Sequence, residues 1–309
     1  MNLKKWAGAC AMVCAAPAFS CSICRCGDPT FNALGKEGVA QTGLRVALDW
    51  DEVEKTQGSA ANNDLDKLRE QRTTALLAYG VSDRLSLFAR VPYSERELTE
   101  SGGGDIERTD TSGLADPELY GQVRLWSSPF AGDVGMRTSV YAVGGIKTDW
   151  GRNNVSRDGE RLDEHAQPGT GSTDWFGGLA GSYQLNPRSA LFASVQYRLT
   201  GRNEFGYRYG RIGLANLAYE HKLGGRWDAV LEANYRHSGK DEISAAGETD
   251  PDTGGSMLYA TPRILFDAGH RWVLRAAAQI PLTQSGLNGE QEEKTVVNLG
   301  VTRLLGGSH

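Results

Sequence analysis

The feature that most constrains this chain is a period of two. Between Leu85 and Tyr93, the residues Leu85, Leu87, Ala89 and Val91 share one face, while Ser86, Phe88 and Arg90 share the other. Between Pro117 and Trp126, Leu119, Gly121, Val123 and Leu125 oppose Glu118, Tyr120, Gln122 and Arg124. Side chains alternate across an extended strand, so each run predicts a strand with one apolar and one polar face. Runs of about nine to eleven residues are long enough to cross a bilayer at a tilt. A third run, Ala75–Val81, precedes the tight turn Ser82-Asp83-Arg84. The polar, glycine-rich stretch from about Ser94 to Leu114 is expected to be a loop.

The same unit recurs. Twelve strands are expected, at roughly 42–56, 71–81, 84–97, 116–127, 134–148, 173–185, 189–200, 208–222, 227–239, 256–267, 271–283 and 294–305. Short connections, such as Asn186-Pro187-Arg188 and Leu223-Gly224-Gly225, alternate with long ones, such as 149–172 and 240–255. A soluble sandwich has no reason to keep its long loops on one parity. A transmembrane barrel does, with short turns at one end and long loops at the other. Tryptophan supports this: Trp126, Trp227 and Trp272 flank short turns, and Trp50, Trp150 and Trp175 flank long loops. Indole rings prefer the headgroup level, so two girdles are expected. The expected fold is therefore all-β: a twelve-stranded antiparallel transmembrane β-barrel over residues 42–306. An even strand number would leave both termini in the periplasm. Against this, the chain does not end on an aromatic residue, and Pro92, Pro262 and Pro281 fall within or at the ends of strands, where proline removes a ladder hydrogen bond.

Composition agrees. Only 39% of the 309 residues are hydrophobic, low for a soluble core of that size but natural when one face of each strand meets lipid. Beyond the leader there is no apolar run of about eighteen residues, so helical spans are not expected. Residues 1–20 read as a signal peptide: Lys4 and Lys5, an apolar stretch Trp6–Ala16, then Ala18-Phe19-Ser20 before the cut. Without Lys4 and Lys5, 31 basic residues face 38 acidic ones, which argues against a nucleic-acid partner.

Residues 21–41 form a short segment ahead of the first strand, periplasmic or inserted into the lumen. It opens Cys21-Ser-Ile-Cys24-Arg-Cys26. Three thiols this close suit a soft metal such as copper(I) or zinc. They equally suit a local disulfide in an oxidising compartment, and Cys21 could carry lipid. Arg25 stands where a c-type haem motif needs histidine.

The polar strand faces point to a lumen lined by Arg90, Glu118, Gln122, Arg124, Arg137, Gln196, Arg198, Glu232, Arg236, Arg263, Arg275 and Gln279. The long loops are acidic, with Asp66, Glu70, Glu164 and Glu293 among them. Such a mouth would gather cations or simply be solvated. No catalytic set stands out. His237 and Ser238 are neighbours and would point to opposite faces of one strand.

The run Gly80-Val-Ser-Asp-Arg-Leu-Ser-Leu-Phe-Ala-Arg-Val-Pro-Tyr93, followed by Gly113-Leu-Ala-Asp-Pro-Glu118, carries a family resemblance. It resembles the outer-membrane transporter family named for the meta-pathway of phenol degradation. The pattern there is a Gly-x-x-Asp-Arg turn, a strand ending Val-Pro-Tyr, then Gly-x-x-Asp-Pro-Glu. The resemblance implies an outer-membrane channel for small aromatic or other apolar compounds. The cysteine cluster is not part of that pattern.

The reading is a non-enzymatic barrel in a bacterial outer membrane that passes small molecules or ions passively. Its expected partners are outer-membrane lipid, lipopolysaccharide and the solute. One alternative is a metal- or redox-linked barrel using Cys21, Cys24 and Cys26, with copper or zinc and a periplasmic metal or redox protein as partner. The other is a structural or adhesive barrel with a blocked lumen.

Overall fold

The computed structural model describes residues 43–57, 66–102, 105–128, 138–244, 246–250, 253–285 and 292–305. The cysteine segment and both chain ends lie outside them, as does Arg137. Twelve strands form the wall: β1 (Gly43–Gln57), β2 (Asp66–Gly80), β3 (Leu85–Gly102), β4 (Asp105–Leu114 and Glu118–Ser127), β5 (Thr138–Lys147), β6 (Asp174–Asn186), β7 (Ser189–Leu199), β8 (Ile212–Gly224), β9 (Trp227–Ser238), β10 (Gly255–Gly269), β11 (Trp272–Ser285) and β12 (Val296–Leu305). Each pairs antiparallel with its sequence neighbours, and β1 pairs with β12 from Leu44↔Leu305 to Glu52↔Val297, so the sheet closes on itself. Closure leaves the ring of strands without an end strand, the requirement for a sheet surrounded by lipid.

The two faces are inverted relative to a soluble protein. Leu231 is 58% exposed and Val195 55%, while Arg198 and Glu118 on the inward face are each 2% exposed. Apolar side chains cover the outside, and charged ones fill the inside. Exposed Trp126, Trp227 and Trp272 ring the short-turn end, and Trp150 and Trp175 the long-loop end. Among the described residues no helix is long and apolar enough to cross a membrane, and the strands are what cross it.

The prolines sit where the ladder is already interrupted. Pro92 lies opposite the break in β4, since β3 pairs Tyr93↔Leu114 on one side of it and Arg90↔Glu118 on the other. Pro262 lies where the β10–β11 ladder skips from Ala260↔Ile280 to Arg263↔Ala277, and Pro281 beside the register shift at Leu258/Tyr259.

One expectation fails. Ser94–Leu114 is not a loop: β3 continues to Gly102 and β4 returns from Asp105, paired Tyr93↔Leu114 through Gly102↔Asp105. Likewise β2 starts at Asp66 and pairs with β1 from Gln57 downward. Together β1–β4 rise past the girdle as a four-stranded fin. Polar residues here alternate between buried and exposed as strictly as the apolar ones below. Hydropathy could not show this, because the outer face of the fin is polar and the inner face is mostly so, with Val53, Leu68 and Leu98 set among charged residues. The fin's outer face carries the ion pairs Lys67–Glu54, Arg69–Glu52 and Arg108–Glu97.

Candidate functional site

The barrel interior is built of ion pairs between neighbouring strands and between strands two or three apart. Arg90 and Glu118 are opposite one another on β3 and β4, and Arg90 Nη1 donates to Glu118 Oε2 at 2.9 Å. Glu118 Oε1 accepts from Arg198 Nη2 at 2.6 Å. Since β7 lies three strands beyond β4 in the ring of twelve, that second bond ties non-neighbouring strands together inside the lumen. Arg198 also lies 4.9 Å over the Phe176 ring. Phe88 and Tyr120 stack at 4.6 Å, and Tyr120 meets Phe176 at 5.9 Å. This aromatic row rests on the bare backbone of Gly145, where a Cβ would come within 2.3 Å of Tyr120 Cβ. Glu232 pairs with Arg263 at 3.0 Å, and Arg275 with Asp49 at 2.6 Å. Gln122, Arg236 and Gln279 are buried on the same face. Gln196 is half-buried there. Arg124 is set apart: its Nη2 donates to Asp83 Oδ2 at 2.8 Å, at the short-turn rim.

The connection 148–173 folds inward at the long-loop mouth. Its outer part is a small hairpin, Ser156–Arg157 against Glu160–Arg161, turned by Asp158 and Gly159 at positive φ. Its inner part, from Glu164 to Thr170, is buried. A single 3-10 turn, Glu164–Ala166, is capped by Asp163, whose Oδ1 accepts from His165 N at 2.8 Å. The fin braces this plug. Arg96 Nη1 donates to the carbonyls of His165 and Gln167 at 2.8 and 2.5 Å, and Thr111 Oγ1 to that of Ala166 at 2.7 Å. Leu68, Leu98, Ala166 and Leu162 form a small apolar contact beneath.

Two carboxylates anchor the plug. Asp116 Oδ1 accepts from Gly151 N at 3.0 Å, and its Oδ2 accepts from Thr170 N at 2.7 Å, Thr170 Oγ1 at 2.6 Å and Lys147 Nζ at 2.9 Å. Lys147 Nζ also donates to Thr170 Oγ1 at 2.5 Å and to the Ser172 carbonyl at 2.6 Å, so all three of its protons are used. Buried charge is tolerated only when paired and bonded in this way. Asp241 is the second anchor. It accepts from Tyr207 OH at 2.6 Å and Gly210 N at 2.6 Å, and its own N–H donates to Thr253 Oγ1 at 2.7 Å. His165 Nε2 meets Tyr207 OH at 2.9 Å, and Asn203 Nδ2 donates to Glu164 Oε2 at 3.0 Å. Loops 148–173, 200–211 and 239–254 are thereby tied together. Burial pushes the Asp241 carboxyl above its ordinary value, and burial beside Asp241 pushes the Tyr207 phenol up as well.

The anchors explain the sequence pattern. In Gly113-Leu-Ala-Asp-Pro-Glu118, Gly113 leaves room for Arg152 Cδ, which a Cβ there would meet at 3.0 Å. Asp116 holds the plug, Pro117 sits in the β4 break, and Glu118 joins the lumen network. In the upstream turn, Ser82 Oγ accepts from the backbone of Arg84 and Leu85, and Asp83 holds Arg124. Sequence reasoning missed Asp116, Lys147, His165, Tyr207 and Asp241. Asp116 alone carried a signal, as a member of the motif.

The acidic mouth is corrected by this geometry. Asp66, Glu70 and Glu293 belong to strands, and Glu70 is turned inward between Arg72 and Arg96 at 2.6 and 3.5 Å. Glu164 is held by both nitrogens of Arg161. Among the described residues no three His, Asp or Glu side chains gather as metal ligands. Cys21, Cys24 and Cys26 lie outside those residues, so copper or zinc there is a reading of the sequence alone. Two serine–histidine contacts exist, His237 Nδ1 to Ser256 Oγ at 2.9 Å and His221 Nδ1 to Ser189 Oγ at 2.8 Å. Neither has a carboxylate orienting its ring among the described residues, as a serine nucleophile would need. Ser238 is buried and His237 exposed, the opposite faces that alternation requires.

No curated protein sequence matches the chain. Among solved structures, an outer membrane channel from Pseudomonas putida F1 superposes with a TM-score of 0.64 at 15% identity, covering 87% of this chain and 98% of that one. The translocator domain of autotransporter NalP from Neisseria meningitidis matches at 0.47 and 14% identity, covering 87% and 91%. The first shows the shared barrel fold. A family model described as "Putative MetA-pathway of phenol degradation" matches residues 46–299, most of the chain, and the chain belongs to that family.

Proposed function

We propose that this barrel is a passive outer-membrane channel for small molecules, gated by the inward-folded loop 148–173. The observation that supports it most is the inversion of polarity. An apolar wall encloses a bonded, charged interior with both signs in register, and a loop folds into the mouth. The long-loop end faces outward and both termini face the periplasm, in keeping with the length of loops that bacterial barrels expose. No energy-coupling element is needed: the solute moves down its gradient. The solved relative is described as an outer membrane channel, which supports the same reading. Arg90, Glu118 and Arg198 join inside the lumen beside the aromatic row Phe88, Tyr120 and Phe176. That combination suits a small solute with a flat apolar part and a polar or anionic end. A ring can lie on Tyr120 or Phe176, and guanidinium groups bind carboxylate or hydroxyl oxygens.

Solute entry into proteoliposomes tests this. Benzoate should enter faster than in protein-free vesicles, and maltotriose should not. Equal rates with and without protein would favour the reading of a structural barrel with a blocked lumen.

A further inference from the structure

One stretch of the outer wall, near the long-loop end, is not apolar. A row of paired residues on the outward face runs Gly177↔Tyr197↔Gly213↔His237↔Ser256, from β6 to β10. On β6 it stands one outward position below Trp175, the exposed girdle residue of that end, and so at the level of lipid headgroups. Tyr197 and His237 are exposed. Gly213 between them is bare: a Cβ built there would meet one atom, Tyr197 Cδ2, at 4.0 Å. Arg211, two residues earlier, falls on the same face by alternation and is exposed. Its carbonyl accepts from Gly239 N at 2.9 Å, which continues the β8–β9 ladder and fixes its place.

The imidazole is held from behind. His237 Nδ1 lies 2.9 Å from Ser256 Oγ, which also accepts from Tyr235 OH at 3.2 Å. With the phenol donating to it, the serine gives its own proton to Nδ1 of a neutral ring or accepts from Nδ1 of a charged one. In both cases Nε2 carries a proton and is the nitrogen left for an outside acceptor. The set is a seat with Gly213 as its floor, Tyr197 and His237 as its walls, and Arg211 at its upper edge. Among the described residues no carboxylate stands on the outward face of β7, β8 or β9. Toward the membrane centre lie Val195 and Leu217, both exposed on the same wall. An anion in the seat meets donors and no like charge, and acyl chains below it would lie on apolar side chains.

We propose that Arg211 and His237, over the bare floor of Gly213, form a binding site for a phosphate of lipid A in the outer leaflet. The assignment of the leaflet rests on the outward orientation of the long-loop end proposed above. Guanidinium and imidazole N–H bonds to phosphate are charge-assisted and strong. Free phosphate would reach the same donors but gain nothing from Val195 and Leu217. The site lies on the wall, outside the solute path, so it holds the barrel in its leaflet without touching transport.

The test is native mass spectrometry of the full chain in a mild detergent, titrated with bisphosphorylated lipid A, with the same lipid stripped of phosphate, and with lipid A against excess inorganic phosphate. Heat-modifiable mobility confirms the folded barrel in every variant. The phosphorylated lipid is expected to bind about tenfold more tightly than the stripped one. Arg211→Ala combined with His237→Ala is expected to abolish that difference. Gly213→Leu, which fills the floor and leaves both donors, is expected to weaken lipid A binding several-fold. His221→Ala, at the other end of the wall, is expected to change nothing. An undiminished preference in the double variant, or an equal loss in His221→Ala, would overturn the site. Ready displacement of the lipid by inorganic phosphate would overturn the lipid as its occupant. Orientation is read separately. With Cys21, Cys24 and Cys26 changed to serine, Glu248→Cys in intact cells should react with a polyethylene-glycol maleimide too large for porins. No reaction, with lipid A binding intact, would overturn the outward orientation and the leaflet assigned from it, but not the phosphate seat.

Discussion

The two ends of the barrel join their strands by opposite means. At the short-turn end the strands turn back within a few residues: Asn186 passes to Ser189 through Pro187-Arg188, and Gly224 and Gly225 take positive φ to reach Trp227. At the long-loop end three loops meet through side chains, with Asp116 and Asp241 as anchors. The first end depends on local backbone geometry, set turn by turn by residues such as Gly224 and Gly225. The second depends on buried polar atoms that must all be satisfied together, and half-satisfied networks are costly. A gate belongs at such an end, since removing one side chain can release it while the wall stays shut.

Breaking the anchor should have the largest effect. Asp116→Ala takes the nearer carboxylate from buried Lys147 and leaves it Asp174 at 3.3 Å. It also strips the acceptor from Gly151 N and Thr170 N, and such buried unsatisfied groups cost about 1–3 kcal/mol each. The cost should fall on the plug rather than the wall, so protease added to intact cells should cut within 148–173 while the barrel keeps its heat-resistant mobility. Loss of the folded barrel would instead make the plug part of the fold's foundation.

The wall has its own test, of slightly smaller size. Arg at outward Val195 should cost about 2–4 kcal/mol in a membrane-refolding titration, and Arg at inward Gln196 much less. Equal costs would erase the distinction between the two faces.

Within the plug, Tyr207→Phe removes the hydroxyl between His165 and Asp241. Leaving Asp241 short of a buried donor should cost about 1–3 kcal/mol, seen as faster amide exchange in 200–211 and 239–254 with no change in the strands.

The smallest effect is on pH. The Asp241 carboxyl is raised in the folded state, chiefly by burial, so its neutral form is the one the fold prefers. That preference stabilises the plug below the ordinary carboxylate range and is lost as pH rises through the raised value. Amide protection in 239–254, corrected for the intrinsic pH dependence of exchange, should therefore fall on going from acid toward neutral pH, and Asp241→Asn should flatten that fall.

Period two made the wall legible, since lipid on one side and water on the other sort every residue in turn. Leu87, Leu119 and Val195 announced the outer face, and Arg90, Glu118 and Arg198 the inner one. The fin was illegible because Arg69, Glu95 and Asp110 face solvent rather than lipid, so alternation there carries no hydropathy. The plug was illegible for another reason. Lys147 and Asp116 are 31 positions apart, His165 and Asp241 farther still, and nothing in the spacing of lone polar residues says which will meet.

Single-channel recording on a plug deletion tests the central claim most directly. Removing 154–168 leaves every barrel strand intact and takes out the hairpin and the buried turn, but keeps Asp116, Lys147 and Thr170. In a planar bilayer the full chain should show small or infrequent openings, and the deletion a conductance several-fold larger and steady. An unchanged conductance in a correctly folded deletion would contradict the account, because the loop would then not be what closes the lumen.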